Sequence, residues 1–444
     1  MHFTPAQIET IAPNPNAFKA GNKLSAPAKW TEYGHSQRAI WGIIKGSGKK
    51  PYYTEIDLQD VAYKCSCPSR QFPCKHSVAL MLLFAGLSNK EQSDEPDWVT
   101  EWIDKRRKKA EPKEEKIRTP EEEKKSAKAK EKRQENRSKL VDAGIQELNL
   151  WLSDLIRAGL LELPNKPPKY YNTIAARMVD AQASGLAGLI KSLGQINFSS
   201  TDEWLEEATS IIGKLNLLMQ SWKNINNLPE DWQISVKNLI GWSQSPKDLL
   251  TDKQATAIKD HWIVLGQEKE DLFELVILRT WLWGIKSGKS ALVINFSTQF
   301  APLENTMIVG SILDAEFAFF PGNAPQRGII RNNTKLLNSL PKNPSFHNNF
   351  VALIDELHKK ELDNPWLDNE VFLVENIRLI KQGKNWFLLD ADDHLIPTID
   401  EFNDLSNMKW ILKTGNKPVN ISMVVKENKA LPLGIFSLDN YEAL

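Results

Sequence analysis

The stretch "YKCSCPSRQFPCKHSVALMLLF", residues 63–84, contains all three cysteines of the 444-residue chain. His76 follows two positions after the last cysteine, so three thiols and one imidazole fall close together. Cys65 and Cys67 are two residues apart, and alternate side chains of an extended strand share a face. Both sulfur atoms can therefore point toward a single bound ion.

Cys74 and His76 have the same spacing, but on a regular helix it would turn their side chains about 200° apart. We therefore place Cys74 in the loop before a helix and His76 in its first turn. Pro68 and Pro73 bracket the intervening loop and end the strand. Three thiolates and one imidazole form the Cys₃His set of a closed tetrahedral zinc site. Since protein supplies all four ligands, the sequence predicts one structural Zn²⁺ per chain.

The order Cys-x-Cys, a gap, then Cys-x-His resembles the SWIM-type zinc finger, as does the preceding "RAIWGIIKGSGKKPYYTEIDL", residues 38–58. The resemblance covers about residues 30–88 and is to the long bacterial form of the family. It assigns the ligand roles to Cys65, Cys67, Cys74 and His76. SWIM domains are taken to bind DNA or proteins. The long bacterial form is similar to proteins associated with MoxR-type ATPases and von Willebrand A-domain partners, so the resemblance implies protein partners of these kinds.

Composition places the chain among soluble globular proteins, with 41% hydrophobic and 25% charged residues. The first residues, "MHFTPAQIETIAPNP", lack the basic and apolar regions of a secretory signal. The longest apolar run, Val78–Leu87, is about half the length that a bilayer requires. An odd number of cysteines argues against a disulfide framework and for a reducing compartment. We therefore expect a cytoplasmic protein that makes no membrane contact.

Changes in charge content and in the spacing of apolar residues along the chain predict an α+β multidomain fold. Between residues 101 and 139, charged side chains dominate and apolar periodicity is absent, which is typical of a linker. Apolar residues then recur at helical spacing, and strand-like runs follow from about residue 265. The predicted parts are a small ββα-type SWIM zinc-finger domain (1–90), a charged linker (91–139), a helical domain (140–260) and a β-rich C-terminal domain (261–444).

Charge is unevenly distributed although the net charge of the chain is zero. Residues 1–139 carry a formal +8 and the remaining 305 residues carry −8. Phosphate contacts from a basic zinc module would make the protein a nucleic-acid-binding protein. The candidate contact residues are Lys45, Lys49, Lys50, Lys64, Arg70 and Lys75.

We favour a different function, a non-enzymatic adaptor that binds another protein. The acidic remainder would repel a phosphate backbone, and the apolar helix over residues 78–87 is a poor recognition helix.

No catalytic residues are predicted. "GIKSGKS", residues 284–290, has three rather than four residues before its Gly-Lys and precedes a strand, so we interpret it as a turn and not a phosphate loop. "DADDHLIP", residues 390–397, is interpreted as a solvated turn. The oligomeric state is left open.

Overall fold

The computed structural model of the chain combines a sheet-based N-terminal module, a helical bundle and two C-terminal sheets. This arrangement confirms the predicted α+β fold class. The residues that the structure describes are 4–46, 50–58, 61–69, 71–87, 91–110, 120–199, 204–242, 244–272, 275–298, 307–337, 340, 344–367, 369–399, 402, 404–426, 428–437 and 440–444.

Four antiparallel strands, paired in chain order, form the sheet of the N-terminal module. The strands are β1 (Trp30–His35), β2 (Ala39–Ile44), β3 (Tyr52–Asp57) and β4 (Ala62–Cys65). The helices of the module are α1 (Pro5–Ile11), α2 (Pro15–Leu24) and α3 (Lys75–Gly86). The two strands and the helix of the predicted ββα-type module correspond to β2, β3 and α3. The module is larger than that unit by β1, β4, α1 and α2.

Helix α3 is apolar on nearly every side because it is enclosed on nearly every side. Val78, Ala79 and Met81 are completely buried in one cluster with Ile40 and Ile56 of the sheet. On another side α2 approaches so closely that a Cβ at Gly21 would lie 2.6 Å from the Val78 side chain. The helix is therefore an interior element that carries the core of the module.

The opposite face of the sheet is covered by α4 (Asp97–Ala110). Val99 and Ile103 of this helix are completely buried and join Ala39 and Trp41 in a small separate cluster. The predicted linker, residues 91–139, thus contains a helix that is packed on the module. Its apolar residues lie at helical spacing, which the high average charge of the segment concealed.

The helical bundle begins with the long helix α5 (Pro120–Ala158), so the boundary predicted at residue 139 falls inside a helix. Its other helices are α6 (Pro168–Asp180), α7 (Ser184–Leu193), α8 (Trp204–Lys223), α9 (Glu230–Ile240) and the short α10 (Pro246–Thr251). Leu148, Ile190 and Leu215 are completely buried in their common core. At Gly185 a Cβ would lie 1.7 Å from the Leu239 carbonyl oxygen, so the close contact of α7 with α9 requires glycine.

Five strands form the first C-terminal sheet, in the order β7-β6-β5-β8-β9. They are β5 (Ala257–Leu272), β6 (Leu275–Gly284), β7 (Ser290–Thr298), β8 (Ile312–Phe319) and β9 (Gly328–Leu337). The two edges meet where the Leu292 amide donates to the Gln326 carbonyl at 3.0 Å, in a parallel bridge between Leu292 and Arg327. Antiparallel strands closed by a parallel contact between the third and fifth have the connectivity of an OB-type barrel.

Six strands form the second sheet, in the order β12-β11-β10-β13-β14-β15. They are β10 (Glu370–Gln382), β11 (Asn385–Leu389), β12 (Leu395–Pro397), β13 (Val419–Lys426), β14 (Lys429–Ser437) and β15 (Asn440–Ala443). One face shares a buried cluster with the barrel, and the other shares one with α11 (Phe350–Asp363) and α12 (Asp404–Thr414). The C-terminal half is therefore layered as barrel, sheet and helices.

Candidate metal centre

Three cysteines and one histidine converge between β4 and α3. Cys65 is the last residue of β4, and Cys67 follows it after one residue; both are half-buried. Cys74 is the N-cap of α3, and His76 is the second residue of that helix; both are buried. The four ligand atoms lie within 4.8 Å of one another. This arrangement confirms the predicted Cys₃His set and the predicted positions of Cys74 and His76 about the helix start.

The distances fit a tetrahedral zinc ion. Zn–S bonds of about 2.3 Å and Zn–N bonds of about 2.0 Å place sulfur and nitrogen about 3.6 Å apart and two sulfurs about 3.8 Å apart. The His76 Nδ1 atom lies 3.8 Å from Cys65 Sγ and 3.9 Å from Cys74 Sγ. Nδ1 is therefore the nitrogen that would bind the ion, with Cys65, Cys67 and Cys74 as the thiolate ligands.

The ligand side chains influence one another's ionisation. Hydrogen bonding between the two thiol groups lowers the pKa of Cys74 and raises the pKa of Cys65. A divalent ion would replace the thiol protons, since the thiolate is the form that binds metal.

Neighbouring side chains are placed to orient and support the ligands. The Thr54 hydroxyl, completely buried on β3, lies 3.2 Å from Cys65 Sγ, and the Ser77 hydroxyl lies 3.5 Å from Cys74 Sγ. Both hydroxyls can donate to thiolates, and such outer contacts fix the geometry of metal ligands. The Tyr52 ring packs 5.1 Å from the His76 ring and restrains its orientation. The sequence analysis did not identify these three residues.

The predicted basic residues that the structure describes differ in their contacts. Lys64 forms an ion pair of 2.5 Å with Glu55, and its ammonium lies 5.7 Å from the centre of the Trp102 ring in α4. Lys45, Lys50 and Lys75 are exposed. Lys49 and Arg70 lie outside the described residues. Lys64 therefore contributes to the packing of α4, and a phosphate-binding role for the other five residues stays a prediction.

The sheet face beneath α4 holds two buried carboxyl groups that the sequence analysis also missed. Glu55 and Asp57 of β3 are 1% and 3% exposed. Burial raises the pKa of Glu55 to about 7, although the hydrogen bond from Lys64 acts in the opposite direction. Arg106 of α4 lies 3.8 Å from the Asp57 carboxylate. The alternation of acidic and apolar residues in β3 is typical of a strand with one solvated face, so local pattern did not indicate that α4 covers these carboxyl groups.

The two motifs that were interpreted as turns, residues 284–290 and 390–397, both contain turns in the structure. Residues 284–290 connect β6 to β7, with Trp283 paired to Ser290. In the second motif Asp390 is completely buried rather than solvated, which corrects that part of the prediction. Its carboxylate accepts hydrogen bonds from the Phe350, Asp392 and His394 amides at 2.8 to 2.9 Å. Asp390 therefore fixes this turn against the start of α11.

Comparison with known protein families identifies two regions of the chain. Residues 52–84, which hold β3, β4, the four ligands and most of α3, match the SWIM zinc finger family. Residues 136–240 match the SWIM-associated four-helix bundle domain. No curated protein and no solved structure gives a significant match to the chain. Within the described part of the chain, every helix is too short or too polar to cross a membrane.

Proposed function

We propose that this chain, in which a SWIM zinc finger is followed by a SWIM-associated four-helix bundle domain, is a non-enzymatic adaptor that binds other proteins. The observation that supports the proposal most directly is the complete set of protein ligands around the zinc position. Four such ligands leave no coordination position for water or substrate, so the ion would join β4 to α3 structurally. The reduced thiols that bind zinc are stable in a reducing compartment, which supports a cytoplasmic location.

The alternative function is nucleic-acid binding, and the barrel is the first place to test it. OB-type barrels bind oligonucleotides on the face of their second and third strands and with the loop between strands four and five. In this chain the Ser290 hydroxyl of β7 donates to Glu370 of β10 at 2.6 Å. A Cβ at Gly266 of β5 would lie 2.8 Å from Leu433 of β14. The second sheet thus contacts the first strand of the barrel and the start of the third.

The loop between β8 and β9 is also engaged within the chain. The Asn323 amide donates to the Ser235 hydroxyl of α9 at 2.8 Å, and the Asn238 side chain donates to the Pro321 carbonyl at 2.7 Å. In the zinc module, α3 is enclosed and Lys64 is paired with Glu55. These internal contacts favour the adaptor over the nucleic-acid-binding function.

The deciding experiment titrates the zinc-loaded full chain with purified proteins and with nucleic acids at low and physiological salt. The protein probes are a MoxR-type ATPase and a von Willebrand A-domain protein, the partner classes that the family resemblance implies. We expect one of them to bind at both salt concentrations, since protein interfaces rest on buried apolar and aromatic groups. Binding to duplex DNA or single strands is expected to be weak and lost at physiological salt.

A double variant, Lys45→Glu with Lys50→Glu, separates the two functions because both lysines are exposed on the zinc module. Its matched control is Lys384→Glu, an exposed lysine in the turn between β10 and β11. We expect neither variant to alter protein binding. Submicromolar DNA binding that resists salt, requires zinc and is lost in the double variant but not in the control would overturn the adaptor proposal.

A further inference from the structure

Strand β7 has an open edge over its second half. It lies at one end of the strand order, so one of its edges faces away from β6. On that edge the Leu292 amide donates to the Gln326 carbonyl, where the barrel closes. Backbone groups of alternate residues in a strand point to the same edge, so the amides of Ile294 and Phe296 point there as well. Among the residues that the structure describes, these two amides have no acceptor on that edge.

Arg327 lies beside this open edge with an unpaired charge. It immediately precedes β9 and forms the parallel bridge with Leu292. Its guanidinium carbon is 5.8 Å from the ring centre of Phe296 and 5.0 Å from that of Phe320. Burial lowers the pKa of Arg327, and within the described part of the chain no carboxylate offsets that effect. A half-buried guanidinium without an acidic partner favours an anionic ligand.

A large apolar side chain is available at the same edge. Phe296 is 53% exposed, whereas Phe320, the second ring beside Arg327, is buried. A side chain directly opposite Phe296 on an added strand would share its face and pack against the ring. The edge therefore offers hydrogen-bond donors, an apolar contact and a cation close together. We call Ile294, Phe296 and Arg327 the β7 edge site.

The neighbouring charges on this face of the barrel are of both signs and are paired with one another. Arg279 of β6 lies opposite Ile294 and contacts Glu268 and Glu270 of β5 at 3.7 and 2.7 Å. These two carboxylates would repel a chain of phosphates laid across the strands. A ligand with a single carboxylate requires Arg327 alone. The β7 edge site therefore fits a peptide better than a nucleic acid.

We propose that the β7 edge site binds the C-terminal tail of a partner protein as an added antiparallel strand. Main-chain hydrogen bonds to Ile294 and Phe296 would hold the tail, and its terminal carboxylate would bind Arg327. A strand antiparallel to β7 ends toward Leu292, where the amide is bonded to Gln326 and pairing cannot continue. A chain terminus fits this position because it needs no onward path. The inference rests on the proposed adaptor function and specifies which part of a partner is bound.

The test presents the zinc-loaded full chain to two libraries of hexapeptides that are immobilised through their N-termini. The libraries share the same random sequences, but the first ends in free carboxylates and the second in amides. Peptides that bind are then measured in solution by calorimetric titration, beside a single-stranded oligonucleotide of random sequence. We expect binders in the free-carboxylate library, with apolar residues at alternate positions. Amidation of a binder, or its extension by two residues at the C-terminus, should weaken it at least about tenfold.

Two variants test the site from the side of the protein. Arg327→Gln should weaken the selected peptides at least about tenfold, since it removes the charged partner of the carboxylate. Ile294→Pro should also weaken them, because it removes an edge donor and leaves the pairing with β6 in place. The matched control is Lys289→Gln, which removes an exposed charge from the turn before β7 and should bind like the wild type. The amidated peptides test the carboxylate without altering the chain, so the result does not depend on the folding of a variant.

Four results would overturn the inference: no binder in either library, equal binding of free and amidated peptides, full binding by Arg327→Gln, or binding of the oligonucleotide through Arg327. The experiment is independent of the adaptor test. If a protein partner binds the wild type and Arg327→Gln equally well, the β7 edge site is wrong and the adaptor function stands. If the chain binds only nucleic acid, the adaptor function itself fails.

Discussion

Glu55 is a buried carboxyl group whose ionisation opposes folding of the zinc module. Its pKa rises from 4.5 to about 7 in the folded chain because burial disfavours the carboxylate. Between these two pH values the folded protein holds a proton that the unfolded chain has released. The stability of the module should therefore fall as the pH rises through this interval and level off above it.

Glu55→Gln removes this titration and can still accept a hydrogen bond from Lys64. We expect the variant to gain stability over the wild type as the pH rises from 5 to 7, by on the order of 2 kcal/mol at the upper end. Unfolding by denaturant at a series of pH values measures the difference in stability. The pH dependence of zinc binding is the same in both proteins and therefore cancels in this difference. Glu32→Gln, an exposed glutamate on β1, is the control and should show no such trend. A pH-independent difference for Glu55→Gln would contradict the assignment.

Local pattern was sufficient to predict most of the elements that hold the metal. A spacing of two residues predicted a strand for Cys65 and Cys67, but β4 ends at Cys65 and Cys67 lies in the bend that follows. The incompatible geometry of a helix correctly placed Cys74 before α3. Thr54, Ser77 and Tyr52 could not be predicted to support the ligands. Their roles depend on which side chains β3 and α3 bring beside the sulfurs, and pairing between distant residues leaves no local pattern in the sequence.

Helix α4 was not predicted because composition was averaged over a segment that holds two kinds of residue. Charged side chains outnumber all others in the predicted linker, residues 91–139, yet its Val99 and Ile103 are completely buried. A few apolar residues at helical spacing are enough to attach a helix to a sheet. The strand order of the barrel could not be predicted for a different reason. β5 pairs with β8 about fifty residues later, and strand order depends on such distant contacts.

The attachment of α4 can be tested by loosening it. Ile103→Asp places a charge in the buried cluster with Trp41 and Val99, so α4 should detach from the sheet. We expect trypsin to cleave rapidly after Arg106 and Arg107 in this variant and slowly in the wild type. Glu101→Ala, which alters an exposed residue of the same helix, should behave like the wild type. Equally rapid cleavage in all three proteins would show that α4 is not docked in solution.

Across the whole molecule, two sets of contacts join the parts of the chain. One joins the zinc module to the barrel, and the other joins the helical bundle to the segment between α11 and β10. Ile308, between β7 and β8, is 2% exposed and belongs to the core of the zinc module. The Gln7 side chain of α1 donates to the Val309 carbonyl at 3.4 Å. The Trp366 indole donates to the Lys214 carbonyl of α8 at 3.1 Å. A change in the zinc module can therefore reach the barrel directly, whereas the bundle has its own core and separate contacts.

This arrangement predicts how far the loss of zinc spreads. Binding free energy at structural zinc sites is folding free energy, on the order of 10 kcal/mol in isolated fingers. Cys67→Ser should reduce zinc from one ion per chain to near zero and unfold the module. Amide hydrogen exchange should then rise over β2, β3, β4 and α3, and also at Ile308 and Val309, where the barrel loses its neighbour.

Exchange within α6 to α9 and within β10 and β13 should stay at the wild-type level, because these elements are buried in clusters that contain no residue of the zinc module. Lys75→Ala is the matched control, since this exposed residue lies between two ligands and supplies none. It should keep both its zinc and the wild-type exchange pattern. If Cys67→Ser retains a full zinc ion, the ligand set is wrong. If exchange rises throughout the chain, the zinc module stabilises the entire molecule, and its contact at Ile308 transmits far more than a local change.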